Sequence, residues 1–332
     1  MRASVPANLL LLGEYAVLEE GGLGLAVAVA PRVRISVAPG RPGAGLEVAA
    51  RMDTELRWTP REPREPRDPR GDPRDPRGDP RTALLAAAVE VCCPAGPPPG
   101  SIEVDSSDFF FGGRKGGLGS SAAAAVGLCW ALLTLAAGSP PQPAAVLEAA
   151  LAAHRRAQGG HGSGYDVFAS FHGGAGLFAG GARPSWQPLD LPWLEPLYLF
   201  HGERSLSTPV AIGKYREWRL RRPEEAGSFL EKSNRLVWSF SRAASRLEAL
   251  GSLRRCRALG LRLGEAIGVP AAMHPPDDWD GIRAEDCKAL GAGNELGLAF
   301  PELPPETPPD GLPGSLRPAR LASQGLAQES LE

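Results

Sequence analysis

Three glycine-rich stretches hold the residues of this chain that could do chemistry. The first is Lys115-Gly-Gly-Leu-Gly-Ser-Ser-Ala-Ala-Ala-Ala-Val126. Its glycines let backbone N–H groups turn towards one point and let a ligand approach closely. The alanines have the highest helix propensity, which predicts a helix starting near Gly119 or Ser120. The N-terminus of such a helix offers unpaired N–H groups and a partial positive charge, to which Lys115 adds a full one. That combination suits a polyphosphate; a Gly/Ser helix-capping turn is the plain alternative. The second stretch is His161-Gly-Ser-Gly-Tyr-Asp166. Its glycines predict a loop in which the Asp166 carboxylate is aimed at a substrate or closes an Asx-turn. The third, Lys288-Ala-Leu-Gly-Ala-Gly293, reads as another glycine-rich turn.

Two common phosphate motifs do not fit. Gly117-Leu-Gly-Ser-Ser-Ala122 matches the Gly-x-Gly-x-x-Ala pattern of dinucleotide sites, but that pattern needs a strand just before it and an acid about 20 residues on. Here Phe-Gly-Gly-Arg-Lys precedes it, read as a loop, and Ser139-Pro-Pro follows, with no acid until Glu148. No Gly-Lys-Ser/Thr follows a four-residue spacer, so a Walker loop is absent. A net charge of −2 gives no electrostatic case for nucleic acid or an anionic membrane surface. The five cysteines form neither a CxxC pair nor a metal-ligand spacing. With an odd count and no signal-like N-terminus, they predict a cytoplasmic protein. The run Ala122–Ala137 is short for a membrane span and rich in alanine, which predicts a buried helix.

The elements that must position these stretches are legible in outline. Leu9–Leu12 predicts a buried strand ending at Gly13. Leu23–Ala30 and Arg32–Ala38 predict two more, the latter alternating apolar and polar residues. Residues 59–81 repeat (Asp/Glu)-Pro-Arg and are read as an extended insertion that buries no core. Thr82–Cys93, the alanine-rich run and Ala144–Ala157 predict helices, and Ser101–Asp105, Leu177–Phe178 and Leu197–Phe200 predict strands. Residues 222–267 show helical spacing, and Leu296–Phe300 predicts a strand. The composition changes near residue 190, and little structure is expected beyond Pro301.

Taken together, three segments in order resemble the motifs of the GHMP kinases: Pro6-Ala-Asn-Leu-Leu-Leu-Leu-Gly-Glu-Tyr-Ala-Val17, Gly117-Leu-Gly-Ser-Ser-Ala-Ala123 and Lys288-Ala-Leu-Gly-Ala-Gly-Asn-Glu-Leu-Gly297. Within that family, Ala153-His-Arg-Arg-Ala-Gln-Gly159, Gly162-Ser-Gly-Tyr-Asp-Val-Phe-Ala-Ser170, Ser205-Leu-Ser-Thr208 and the Tyr of Gly13-Glu-Tyr15 are most similar to the phosphomevalonate kinase branch. The resemblance implies an α+β fold of two domains, with the active site in the cleft between them. Residues 1–190 would form a ribosomal-protein-S5-like ATP-binding domain carrying the 59–81 insertion. Residues 191–300 would form a ferredoxin-like domain, and 301–332 a disordered tail. It implies ATP and Mg²⁺ as cofactors and transfer of the γ-phosphate to phosphomevalonate, mevalonate or a related hydroxylated acid. No nucleic-acid or membrane partner is implied, and the chain would be a monomer or homodimer.

The site residues implied by the resemblance follow its motifs. Asp166 would be the catalytic acid/base, supported by Lys115 and Asn8. Gly116, Gly117, Leu118, Gly119, Ser120, Ser121 and Ala122 would hold the phosphates, with the Ser121 hydroxyl on Mg²⁺ and Ser120 either a ligand or a helix cap. Glu14, Tyr15, Ser163, Gly164, Ser205, Ser207, Gly291, Ala292 and Gly293 would contact the acceptor. His154 is read as a structural helix residue. Two positions depart from the family pattern: Asn8 stands where a lysine is usual, and Asn294 and Glu295 stand where glycines are usual. Asn8 can donate hydrogen bonds but carries no charge, so a homologue that binds nucleotide without turnover stays open beside the kinase.

Overall fold

The computed structural model describes residues 1–60, 82–111, 114–160, 162–202, 206–275, 282–292, 295–302 and 316–329. Most of the 59–81 insertion, together with His161, Ser205, Gly293 and Asn294, lies outside them. Packing divides the chain differently from the cut near residue 190 that composition suggests. One compact unit comprises Met1–Asn8, Pro31–Gly173 and Gln324–Glu332, and the other Leu9–Ala30 and Gly174–Ser323. The units interleave in sequence because two long strands, β1 (Arg2–Leu12) and β2 (Leu23–Pro39), contribute to both.

The predicted break between Ala30 and Arg32 does not occur: β2 is one strand of 17 residues. Pro31 has no N–H to give to a ladder, and it falls where β2 changes partner. Leu23–Val27 pair with β8 (Ala175–Ala179), and Arg34–Pro39 pair with β5 (Gly100–Asp105).

In the first unit the strand order is β14-β1-β2-β5-β3-β4, with β3 (Leu46–Arg51) parallel to β5 and hairpinned to β4 (Glu55–Trp58). β14 (Ala327–Glu329) pairs with the start of β1. It lies in the tail read as unstructured, whose proline and polar content hides so short a strand. Helices α1 (Ala83–Cys92), α2 (Ser120–Ala137), α3 (Pro143–Ala157) and α4 (Tyr165–His172) pack on one another, and α2 also packs on β5.

α2 is buried on almost every side, so it lacks the polar face of a surface helix. By length and composition alone it could cross a membrane, yet 67% of it is buried inside the protein, as the core-helix reading predicts. Gly138 ends it in the left-handed conformation, its N–H closing on the Thr134 carbonyl at 2.8 Å. Midway, Gly127 faces Ile35 of β2: a Cβ there would lie 2.5 Å from Ile35 Cγ1. The missing side chain lets the helix sit close to the sheet.

In the second unit, the first half of β2 pairs with β8, and β8 with β9 (Ser185–Leu189). A second, antiparallel sheet runs β11-β12-β10-β13: Cys287–Leu290, Leu296–Ala299, Leu197–His201 and Leu316–Ala319. The predicted turn at 288–293 therefore begins as a strand, and β13 again falls in the tail read as unstructured. Helices α5 (Thr208–Arg221), α6 (Pro223–Ser241) and α7 (Arg246–Ile267) pack on one another. The segment 222–267 thus holds two helices, as its apolar spacing predicts; the second is capped by Ser245, which accepts from Glu248 N–H. Tyr215, Phe229, Leu263 and Ile267 form the core they share.

The close approach of α2 to β2 is testable. Gly127→Ala is expected to lower stability by about 1–3 kcal/mol through overpacking, despite the better helix propensity of alanine. Ile35→Val, which removes Cδ1, should recover part of that loss. Urea unfolding of the two single variants and the double variant measures it; additive losses would rule out the steric account.

Candidate active site

The glycine-rich loop enters from a two-residue ladder, Phe110–Phe111 (β6) with Arg114–Lys115 (β7), rather than from the open loop read from its sequence. The Lys115 side chain lies outside the described residues. The Gly116 N–H is not free for a phosphate: it donates to the Phe109 carbonyl at 2.9 Å. Gly117 (φ 68°) and Gly119 (φ 69°) take the left-handed conformation on either side of buried Leu118. α2 then starts at Ser120 with Gly119 as its cap, so the cap role considered for Ser120 belongs to the glycine. The Gly119 carbonyl accepts from Ala122 and Ala123, at 3.1 and 3.3 Å. The N–H groups of Ser120 and Ser121 belong to the first turn, which a helix cannot pair internally.

Asn8 pins this loop from beneath. Its side chain is 2% exposed, and its backbone N–H donates to the Leu118 carbonyl at 3.1 Å. Both amide hydrogens are committed: Nδ2 donates to the Gly119 carbonyl at 3.2 Å and to Ser170 Oγ at 3.0 Å. A Cβ on residue 119 would stand 2.6 Å from Asn8 Cγ, which gives Gly119 a second reason to be glycine. The hydrogens that Asn8 could donate are thus turned into the protein.

Asp166 is the second residue of α4, not a loop residue as its glycine-rich approach suggests. Gly164, at φ 95°, caps that helix, and a Cβ there would overlap Leu151. Asp166 Oδ1 accepts from Val167 N–H at 2.9 Å, and Oδ2 lies 3.6 Å from Nδ1 of His154. His154, 2% exposed in the last turn of α3, has Ser121 Oγ 3.3 Å and Gln158 Nε2 3.1 Å from its Nε2. Ser121, His154 and Asp166 therefore form one line across three helices. Arg155 donates to the carbonyls of Gly162 (3.2 Å) and Ser163 (2.8 Å), fixing the approach to α4. Gln158 falls one residue past the predicted helix Ala144–Ala157; its i,i+4 spacing from His154 puts the two on one side of the chain, but does not tell that this side meets Asp166.

The remaining predicted residues gather in the second unit. Glu14 is ion-paired with Lys288, whose Nζ also donates to the carbonyls of Leu11 (2.9 Å) and Ala289 (2.7 Å). Burial pushes the Glu14 carboxyl up, and Lys288 opposes that shift. Tyr15 holds a left-handed φ of 65°, a strained conformation for a non-glycine residue. It is fixed by a 2.9 Å bond from its hydroxyl to the Ala292 carbonyl and by its ring, 5.1 Å from that of Tyr215. Glu14, Tyr15, Arg257, Lys288 and Gly291 line a cavity with an apolar wall that includes Phe229 and Leu263. Ser207 is exposed at the start of α5.

Two stability predictions follow from these contacts. Asn8→Ala should cost about 1–3 kcal/mol in urea unfolding, because it removes two buried hydrogen bonds, one of them to Ser170; an unchanged midpoint would show that the carboxamide does not hold the loop. Lys288→Met should cost about 3–5 kcal/mol at neutral pH by stranding a buried carboxylate. A carboxyl whose folded pKa is raised loses stability as pH rises above the unfolded value, 4.5 for glutamate. Without Lys288 the folded pKa rises further, so the cost of the substitution should grow with pH from about 4.5 upward. A cost independent of pH would exclude Glu14 as its source.

Comparison with known proteins bears on this arrangement directly. Residues 83–174 match the GHMP kinases N terminal domain, a span that includes both the glycine-rich loop and Asp166. No curated protein sequence matches the chain significantly. Among solved structures it is similar to Streptococcus pneumoniae phosphomevalonate kinase in complex with phosphomevalonate and AMPPNP, at 16% identity and TM-score 0.67, covering 90% of this chain and 92% of that one. It is also similar to the mevalonate kinase of Methanococcus jannaschii (14%, TM-score 0.64, 91% and 90%). A third similar structure is a D-glycero-D-manno-heptose 1-phosphate kinase from Bacteriodes thetaiotaomicron (16%, TM-score 0.65, 100% and 99%). The chain carries the GHMP kinase N-terminal domain within an α+β structure that has the GHMP kinase fold.

Proposed function

We propose that this chain transfers the γ-phosphate of ATP to a small hydroxylated, anionic metabolite, with phosphomevalonate as the first candidate acceptor and mevalonate the next. The observation that carries the reading is the line from Ser121 at the start of α2 through His154 to Asp166. It links the turn that would meet the phosphates to Asp166, the carboxylate at the start of α4 that would face an acceptor hydroxyl. The Streptococcus pneumoniae kinase complex, which has both phosphomevalonate and AMPPNP in a similar fold, supports this choice of acceptor and nucleotide.

Phosphoryl transfer needs positioned phosphates, neutralised charge and an oriented acceptor. The N–H groups of Ser120 and Ser121, with the positive end of α2 behind them, would bind phosphate oxygens. Lys115 would add charge. Asp166 would accept or orient the acceptor's hydroxyl proton. Mg²⁺ would neutralise the phosphates when bound. Among the described residues no group of three His, Cys, Asp or Glu could form a protein cage for it. That donor set fits an ion held mainly by phosphates and water, with Ser121 Oγ as a protein ligand. Glu14, Tyr15, Ser163, Gly164, Ser207, Gly291 and Ala292 remain the proposed acceptor contacts, with Ser205 and Gly293 outside the described residues.

One observation favours a second reading, a protein that binds nucleotide without turnover. The amide hydrogens of Asn8 are both spent on Gly119 and Ser170, so Asn8 offers the reacting centre neither charge nor donor.

ADP release with Mg-ATP, tested against phosphomevalonate, mevalonate, homoserine and galactose, separates these readings. Turnover with phosphomevalonate is expected, falling about 10²–10⁴-fold in Asp166→Ala while thermal stabilisation by ATP persists. Undiminished turnover in that variant would remove Asp166 from the mechanism. Stabilisation by ATP with no turnover on any acceptor selects the second reading, and stabilisation by NAD but not ATP overturns both.

A further inference from the structure

We infer that His154 is a positioning residue that sets the orientation of both the Asp166 carboxylate and the Ser121 hydroxyl. Its effect on rate rests on the kinase reading; its hydrogen-bonding arrangement does not. The imidazole is 2% exposed, and its two nitrogens meet different chemistry. Nε2 lies 3.1 Å from Gln158 Nε2, a group that can only donate, and 3.3 Å from Ser121 Oγ. Nδ1 is buried and, among the described residues, has no hydrogen-bond partner; the carboxylate oxygen Oδ2 of Asp166 lies 3.6 Å away. With Nε2 accepting, the neutral ring carries its proton on Nδ1, facing the carboxylate. The reverse amide orientation of Gln158 would require Nε2–H and leave the Nδ1 lone pair against a carboxylate oxygen, a repulsive contact. The pairings thus agree on one tautomer.

That tautomer has two consequences. Ser121 turns its hydroxyl hydrogen towards Nε2, whose one lone pair it shares with the Gln158 N–H, and this leaves its oxygen lone pairs for a cation. Asp166 has Oδ1 held by Val167 N–H and Oδ2 faced by Nδ1–H, so rotation about its side chain is restrained from both ends. The gap to Oδ2 becomes a hydrogen bond on closing by about half an ångström, and such contacts commonly tighten when substrate binds. Deleting a group that orients another in this way typically costs about 10–100-fold.

The test uses the full chain as wild type, His154→Ala, His154→Asn, Asp166→Ala and the double variant His154→Ala/Asp166→Ala, assayed with Mg-ATP and phosphomevalonate. His154→Ala should lower kcat about 10–100-fold and leave KM for ATP and acceptor within about threefold. His154→Asn, which keeps an N–H near the Nδ1 position, should recover much of the loss. In the Asp166→Ala background, loss of His154 should cost less than in the wild type, since only its effect on Ser121 then remains. Equal costs in both backgrounds, or a loss confined to KM, would overturn the inference. Imidazole ¹⁵N spectra of the same proteins, with His154 assigned by its absence from His154→Ala, read the tautomer without turnover. Nδ1–H is expected in wild type, shifting towards a mixture in Asp166→Ala. A chain inactive on every acceptor would sink the kinase reading but leave the tautomer result decisive: an Nε2–H ring, in an active or an inactive chain, overturns the positioning role.

Discussion

A single buried carboxamide ties three distant stretches of the first unit together. Asn8 spends one amide hydrogen on Gly119, 111 residues away, and the other on Ser170, 162 residues away. A buried polar group is costly unless paired, so the three are held wherever the fold puts them. Ser170 lies one helical turn after Asp166 on α4, on the same face. The bonds that fix the cap of α2 therefore also fix the helix that carries the carboxylate. His154 repeats the linkage one layer away, between Ser121 and Asp166. The geometry of the site thus depends on polar side chains that bridge distant segments, with little left to chain flexibility.

The second unit reaches similar order with charge. Lys288 places its ammonium against Glu14 and two backbone carbonyls, so a cation that would otherwise suit an anionic ligand is occupied by the protein. Tyr15, next to that pair, holds an unfavourable backbone conformation because its hydroxyl and its ring are both engaged elsewhere. Strain of this kind persists only where surrounding contacts over-determine it, and here those contacts lie beside a cavity.

Much of this was legible in the sequence, and the failures have identifiable causes. Glycine and alanine placed the start of α2 within a residue because a left-handed cap followed by strong helix formers leaves few alternatives. The helical spacing of Phe229, Leu236, Val237 and Phe240 locates α6 because one face, with Phe229, Val237 and Phe240, is buried. The sequence around Asp166 predicts a loop because glycines on its approach look the same whether they end a loop or cap a short helix. The break at Pro31 was read as a strand end because proline cannot join a ladder, and the sequence does not reveal that β2 changes partner at that point. The strands at 316–319 and 327–329 have too few residues for periodicity to register, and long-range pairing alone defines them. The role of Asn8 was obscured most deeply: nothing in a linear reading tells whether an amide faces a ligand or its own backbone.

β2 serves one ladder before Pro31 and another after it. Side chains alternate faces along a strand, so gaining or losing one residue within β2 would invert every position on one side of the change. Only a bulge between the two ladders, within residues 28–33, could keep both in register, so β2 couples the inward and outward faces of two ladders through its length.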